Sequence, residues 1–504
     1  MDFSHIVRVA WFTFFQATAS TLMALLVGIP AAFFCGRRNF PGRKVLLSLS
    51  AVPFCIPSLI IALGYVTFLG LNGGLNHFLM FVFGFKKAPV RLLYSFFGLI
   101  IAHGFYNFPL IMKNVSDAWE RLPVEPAESA RLLGAGEGRI FRTVTLHQLI
   151  PSIASSSLLV FIYCFLSFIL VLLFGGIGNS TLEVEIYKAA RATLDFSQAG
   201  ILAAIETGVL ILVTIFYTML EQKNQKSKGI VSGEWNNRKP LSGFAEIFSF
   251  SFVLFLIFLF FLAPLAGIIF NAFTSSQKGQ GSAFAGLTVK TFFRVIKMRT
   301  FLPSFVSSVK VAVCTGFLCT FLGFLYSVLL LFLDGKNGRS INFILKILPM
   351  LPMAISSVVV GLVITLMVRR GNIACLVLAQ TFLNWPLAFR VIYPQLTKIN
   401  RDTMDSALLF SRNKADIILR LLLPVGRKSL LSAFGFCFAV SAGDTTLPLV
   451  LAIPKFDTLS LFTYRLAGAY RFNEACAAGL ILGILCAFVF WICSNLGGKN
   501  VFRK

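Results

Sequence analysis

Runs of about twenty apolar residues recur along the whole chain, and no other feature narrows the possible folds so far. Hydrocarbon offers no partner for backbone N–H and C=O groups, so a run that crosses a bilayer must satisfy them internally, as a helix. Such runs cover 10–35, 46–70, 92–113, 152–174, 198–219, 246–272, 303–333, 341–367, 372–394, 429–453 and 475–496, which makes about eleven spans. The composition agrees: 57% of the 504 residues are hydrophobic and 13% are charged, where a soluble domain has about 25% charged. The expected fold class is an all-α polytopic membrane protein. Pro and Gly inside the runs, as in VPFCIPSLIIALGY and LPMAISSVVVGL, are tolerated where neighbouring helices re-satisfy the freed backbone.

The formal net charge of +25 does not point to nucleic acid, because the basic residues sort by loop and form no single patch. The loops that contain GRRNFPGRK, two charged segments at 125–153 and 404–430, EQKNQKSKGIVSGEWNNRK, DGKNGRS and the tail GGKNVFRK hold more than half of the Lys and Arg. Alternate loops hold fewer, so the positive-inside rule puts the first set, and the C-terminus, in the cytoplasm. Eleven spans then place the N-terminus outside. The first ten residues carry neither a basic stretch nor a small-residue cleavage site, so the first run reads as a retained span in a multi-pass inner-membrane protein. The ten cysteines sit mostly inside apolar runs with no CxxC pair, as small apolar filler does.

The chain repeats itself. At an offset of 277 residues Glu128-Ser129-Ala130 falls on Asp405-Ser406-Ala407, Gly134 on Ser411 and Leu146 on Leu423; Asn107-Phe108-Pro109-Leu110 falls on Asn384-Trp385-Pro386-Leu387; and Thr181-Leu182 with Tyr187 falls on Thr458-Leu459 with Tyr464. Three matches at one offset describe two homologous helical halves in one chain. The first half takes residues 1–222 with about five spans, a cytoplasmic linker takes 223–242, and the second half takes 243–504 with about six spans. Both copies of the charged segment lie on one side of the membrane, so the repeat is parallel, about an axis near the membrane normal. The halves are unequal: the second has an extra leading span at 246–272, and the first a longer outer loop, LNGGLNHFLMFVFGFKKAPVRLLYS.

Each charged segment, 125–147 and 402–424, suits a short helix, a tight turn and a second helix returning to the membrane. An acidic residue is followed by small Ala residues that permit close approach, and Gly134 supplies a turn free of Cβ strain. No G-x-x-x-x-G-K-[ST] loop occurs; GAGEGR at 134–139 lacks the Lys and Ser/Thr that grip phosphate and Mg²⁺. The spacing resembles the "EAA" loop of binding-protein-dependent ABC importers: Glu-Ala-Ala, three residues, Gly, nine residues, Ile, one residue, Leu-Pro. The first copy supplies Glu128, Ala130, Gly134, Val144 and Leu146, with His147 in place of Pro; the second supplies Asp405, Ala407, Leu421, Leu423 and Pro424, with Ser411 in place of Gly. The resemblance implies a type I importer permease whose loops dock in grooves of a separate cytoplasmic ATPase, in two copies. ATP and Mg²⁺ would then be held by that partner, with no cofactor, no catalytic residue and no metal in this chain. An external solute-binding protein and the lipid bilayer complete the implied partners, and no nucleic acid is among them.

Beyond the loops, the chain resembles fused two-half permeases of the thiamine import family and the related ferric-iron family, on FPGR at 40–43, the run from Gly175 to Tyr187, SAGD at 441–444 and AYRFNEACAAGLIL. Thiamine permeases usually begin with an additional span, which accounts for the odd count. Thiamine or its phosphates is the implied cargo and ferric iron the alternative.

Asp444, in FAVSAGDTTLPLVL, has no basic residue within ten positions. An ionisable residue at membrane depth marks a functional position by default: Asp444 lines the translocation path, caps a helix break at Gly443, or pairs with a neighbour. Pairing is at least as good a reading as solute contact for Glu206, Lys310 and Arg390. His103 matches Gln380 in the repeat, which favours a polar interhelical contact over a metal site. Tyr187 and Tyr464, in outer loops between the last two spans of each half, either receive the binding protein or anchor helix ends at the interface. An ion-coupled secondary transporter would not need paired loops of this kind. A membrane enzyme would cluster its acids and His, whereas the four His are dispersed at 5, 77, 103 and 147.

Overall fold

The computed structural model describes residues 3–51, 56–175, 180–227, 238–274, 288–333, 344–368, 371–399 and 401–496. Cys55, most of the linker, the tip of the outer loop after 272, DGKNGRS and the C-terminal tail lie outside the described residues. Helices α1 (Phe3–Arg37), α2 (Ser58–Leu69), α3 (Gly74–Phe83), α4 (Phe96–Glu120), α5 (Glu125–Leu132), α6 (Glu137–Phe165), α7 (Ile169–Phe174), α8 (Leu182–Lys188) and α9 (Phe196–Ser227) make up the first half. The second contains α10 (Phe244–Ala272), α11 (Lys290–Ile296), α12 (Phe301–Leu333), α13 (Ser357–Met367), α14 (Ile373–Leu396), α15 (Arg401–Phe410), α16 (Leu423–Gly443), α17 (Thr446–Leu451), α18 (Leu459–Gly468) and α19 (Phe472–Leu496).

Among the described residues nine helices are long and apolar enough to cross a membrane, or up to ten if a bent pair counts as one span. Of the eleven expected runs, 429–453 alone falls outside these ten, because it is broken in two. There the 21-residue α16 carries Arg427 and Lys428 in its first turns, and the chain breaks at Asp444 before the six-residue α17. The expected span at 341–367 is the bent pair, Ile344–Ala354 and Ser357–Met367, at 80° to each other. Pro349 and Pro352 deprive its first piece of N–H donors, and Ser356 Oγ restarts the helix by accepting from Val359 N at 3.1 Å. The outer-loop stretch expected after residue 70 begins with helix, α3, which continues the span of α2.

Two compact units emerge. One comprises Met1–Pro53, Gly64–Glu185 and Ser197–Gly267; the other Phe54–Leu63, Ile186–Phe196 and Ile268–Lys504. In the first unit α1 runs along α4. A Cβ on Gly28 would stand 2.9 Å from Ile111 Cβ, and one on Gly104 would stand 2.6 Å from Met23 Cγ, so these glycines set the interhelical distance. A two-residue parallel pairing joins β1 (Arg38–Asn39) to β2 (Lys239–Pro240), reinforced by ion pairs of Arg38 with Glu246 and of Arg43 and Arg238 with Glu120.

In the second unit α12 runs along α14 in the same manner: a Cβ on Gly323 would lie 2.9 Å from Phe389 N and 3.0 Å from Ala388 Cβ. Ala388 is the 277-offset partner of Ile111, whereas Gly28 and Gly323 are 295 apart. The repeat therefore extends to the first core helix of each half at a second offset, the longer first-half outer loop intervening.

Candidate functional site

Each charged segment folds as a short helix, a turn and a return helix. In the first, α5 ends in a Schellman turn: Ala135 N donates to Ala130 O at 3.0 Å and Gly134 N to Arg131 O at 2.9 Å, with Gly134 at φ +81°. In the second, Ser411 is absent from the left-handed region, and Asn413 caps the next turn by accepting from Asp416 N at 2.9 Å. Gly is thus required by the backbone in one copy and dispensable in the other. Both copies then wind one π turn, Phe141–Thr145 and Ile418–Leu422, again 277 apart.

The burial of the two copies matches. Glu128 and Asp405 are exposed, Ala130 and Ala407 half-buried, and Ile140 and Ile417 buried. Ile417 and Leu422 enter the apolar core that also packs Met404, Ala407 and Leu421, and Trp119 stacks on Phe141 at 6.1 Å to seat the first copy. Leu146 is half-buried at the start of the first return helix; Leu423 and Pro424 are exposed at the start of the second.

Sequence reasoning passed over the most prominent feature of these loops. Leu132 and Leu133 end α5 at 90% and 88% exposure, and their repeat partners Leu409 and Phe410 end α15 at 82% and 91%. The two apolar pairs thus stand at one register, each at the tip of a polar loop. Their polar surroundings differ: Arg131 forms a two-point ion pair with Glu137, at 2.6 and 3.2 Å, where the second copy has Leu408 and Lys414. The shared signal was legible as Leu-Leu and Leu-Phe just before the turn residue.

Asp444 caps the helix break and also pairs with a neighbour. Its Oδ1 accepts from Thr446 N at 2.9 Å and Leu447 N at 3.3 Å, and its Oδ2 accepts from Gln380 Nε2 at 3.0 Å. Ser441 Oγ in turn donates to Gln380 Oε1 at 2.6 Å, and Ser460 Oγ to the Asp444 carbonyl at 2.7 Å. The first half builds the corresponding knot from His103, whose Nδ1 meets Gln16 Nε2 at 2.7 Å and whose Nε2 meets Ser167 Oγ at 2.6 Å. Thr13 Oγ1 accepts from Leu182 N, and Ser308 Oγ accepts from Leu459 N, the same tie in each half.

Tyr187 and Tyr464 stand on short helices, α8 and α18, and not in irregular loops. Both are half-buried, and they lie close enough that the Tyr187 phenol, after burial itself, pushes the Tyr464 hydroxyl above its ordinary range. Glu206 is buried, with neither carboxylate oxygen hydrogen-bonded among the described residues, whereas Lys310 is exposed. Among the described residues no group of three His, Cys, Asp or Glu gathers in a way that could hold a metal ion.

Residues 28–226 match the family of binding-protein-dependent transport system inner membrane components. The chain is similar to the thiamine transport system permease protein ThiP of Brucella abortus (strain 2308), at 26% identity over 99% of this chain and 89% of that protein. It is similar to the Escherichia coli (strain K12) protein of the same name at 26% identity over 99% and 90%. Among solved structures, a bacterial ABC transporter involved in the import of the acidic polysaccharide alginate aligns with 51% of this chain and 96% of its own, at a TM-score of 0.37 and 15% identity.

Proposed function

We propose that this chain, which is a fused two-half permease of the binding-protein-dependent ABC import type, carries thiamine or a thiamine phosphate across the inner membrane by alternating access. The cargo rests on full-length similarity to permeases that bear thiamine in their names.

The observation that carries the energy source is the pair of loops at one register, each with a nearly fully exposed apolar pair at the end of a short helix. Such a tip suits a groove on a cytoplasmic ATPase, with Glu128 and Asp405 alongside, and Gly134 or Ser411 setting the turn that aims it. Because the apolar pairs agree while their polar neighbours differ, two copies of one ATPase subunit fit both loops. The helix following each tip is continuous with a span, so closing the ATPases moves α6 and α16 as levers. Counting the broken run at 429–453, α16 with α17, as one crossing makes eleven, so the excess of Lys and Arg in these loops puts them and the C-terminus in the cytoplasm and the N-terminus outside. On the opposite face Tyr187 and Tyr464 are the contact candidates for a solute-binding protein. Asp444 shapes the path by holding the break between α16 and α17.

The test is ATP-driven uptake of labelled thiamine into liposomes holding the chain, its ATPase and its binding protein. Uptake that requires ATP and disappears in a Glu128→Lys, Asp405→Lys double variant is the expected result. Uptake driven by a proton or sodium gradient without any associated ATPase would overturn the importer, and uptake of ferric iron in place of thiamine would overturn the cargo.

A further inference from the structure

Both ends of α17 are held, and the two restraints come from different halves of the sequence. At the N-terminal end Asp444 caps the helix. At the C-terminal end Arg191, in the π turn Ala189–Thr193 that follows α8, donates from Nε at 2.8 Å and also from Nη2 to the carbonyl oxygen of Val450. The chain turns away just beyond, with Ala452 at φ 44°, so this carbonyl belongs to the set that a helix end leaves open.

Two other first-half positions in the second unit meet the second half through apolar contact: a Cβ on Gly443 would touch Pro57 at 2.7 Å, and one on Gly479 would touch Ile60 at 3.4 Å. Contacts of that kind slide. A guanidinium fork on one carbonyl is directional and is either made or broken. The bond also has no twin, because the repeat partner of Arg191 is Gly468, which has no side chain. Moreover, the segment Ile186–Phe196 leaves the first unit at Glu185 and returns to it at Ser197, where α9 runs on. A displacement of α9 therefore acts on Arg191 through a few residues.

We propose that Arg191 is a latch across the repeat: it pins the C-terminal end of α17 in the resting arrangement and releases it when the halves move during transport. The proposal rests on the importer reading given above. A bond made only at rest biases the transporter toward rest, so its loss favours the state in which the ATPases close.

The test compares wild type, Arg191→Ala and Arg191→Lys as complete complexes with ATPase and binding protein in lipid nanodiscs, reading ATP hydrolysis with and without solute-loaded binding protein. Arg191→Ala is expected to raise unstimulated hydrolysis about tenfold, the shift one charge-assisted hydrogen bond supports, and to lower the ratio of stimulated to unstimulated rate. Arg191→Lys, which keeps the charge and loses the fork, should fall between; should the Ala variant fail to assemble, the Lys variant decides alone. Rates that keep the wild-type ratio within about twofold, whatever the change in thermal midpoint, overturn the latch and leave the importer standing. A wild-type complex that binds no ATPase overturns both.

Discussion

Gln380 donates from Nε2 to Asp444 Oδ2 over 3.0 Å, while the second carboxylate oxygen of Asp444 accepts from Thr446 and Leu447. Three N–H donors therefore engage a carboxylate that has no cationic partner among those contacts. Asn caps a helix about as well as Asp, whereas Ala costs roughly 1 kcal/mol or more. Asp444→Asn is expected to retain transport within about threefold and Asp444→Ala to lose at least about tenfold. Initial uptake rates in proteoliposomes check this; an Asn variant as inactive as the Ala variant means that the negative charge itself handles the solute.

The apolar tips make a sharper prediction. Buried anchors at interface centres are worth about 2 kcal/mol or more each. Leu133→Glu and Phe410→Glu, both at exposed positions that the fold does not need, should each weaken ATPase association about thirtyfold or more. Co-purification yield and titration of detached ATPase onto the chain measure it. Equal retention in both variants would remove the tips from the docking surface.

The two turns should respond in opposite ways. Gly134 sits at φ +81°, and a Cβ added there would have nothing within 4 Å, so Gly134→Ala meets backbone strain alone, about 1–2 kcal/mol. Ser411 avoids that region, and Ser411→Gly should change little. Solute-stimulated ATPase activity is expected to fall in the first variant and to stay near wild type in the second.

Helix packing supplies a control pair. A side chain at Gly323 would press on the backbone of Phe389, which has no flexible end to give way, whereas one at Gly208 would have nothing within 4 Å. Gly323→Val should abolish recovery of monodisperse protein, and Gly208→Ala should not; size-exclusion profiles after extraction distinguish them.

What the sequence displayed followed from where its punctuation lies. The 277-residue register was readable because charged loops and turns hold side chains of distinct chemistry at fixed spacing. The register of the first core helices was not. Thr13 and Ser308 look like any small polar residue in an apolar run, and they become partners only through their bonds to Leu182 N and Leu459 N. The π turns were equally silent, because a π turn uses the same residue types as the α-helix on either side. Asp444 stood out as an isolated charge, yet its role depended on Gln380, 64 positions earlier and visible before only as the counterpart of His103. The run at 429–453 hid a helix break at Asp444, which hydropathy averages over.

Each π turn winds one more residue than an α-helix needs between tip and span. That surplus residue is taken up inside one wide turn, so the helix leaves the π turn at nearly the angle at which it entered. An extra residue inserted into a regular α-helix would instead swing everything on the tip side by about 100° about the helix axis. The turns are in effect slack take-ups: each stores a residue between tip and span while the faces presenting Leu133 and Phe410 keep their aim, and the matching stores in the two halves keep both tips on one setting.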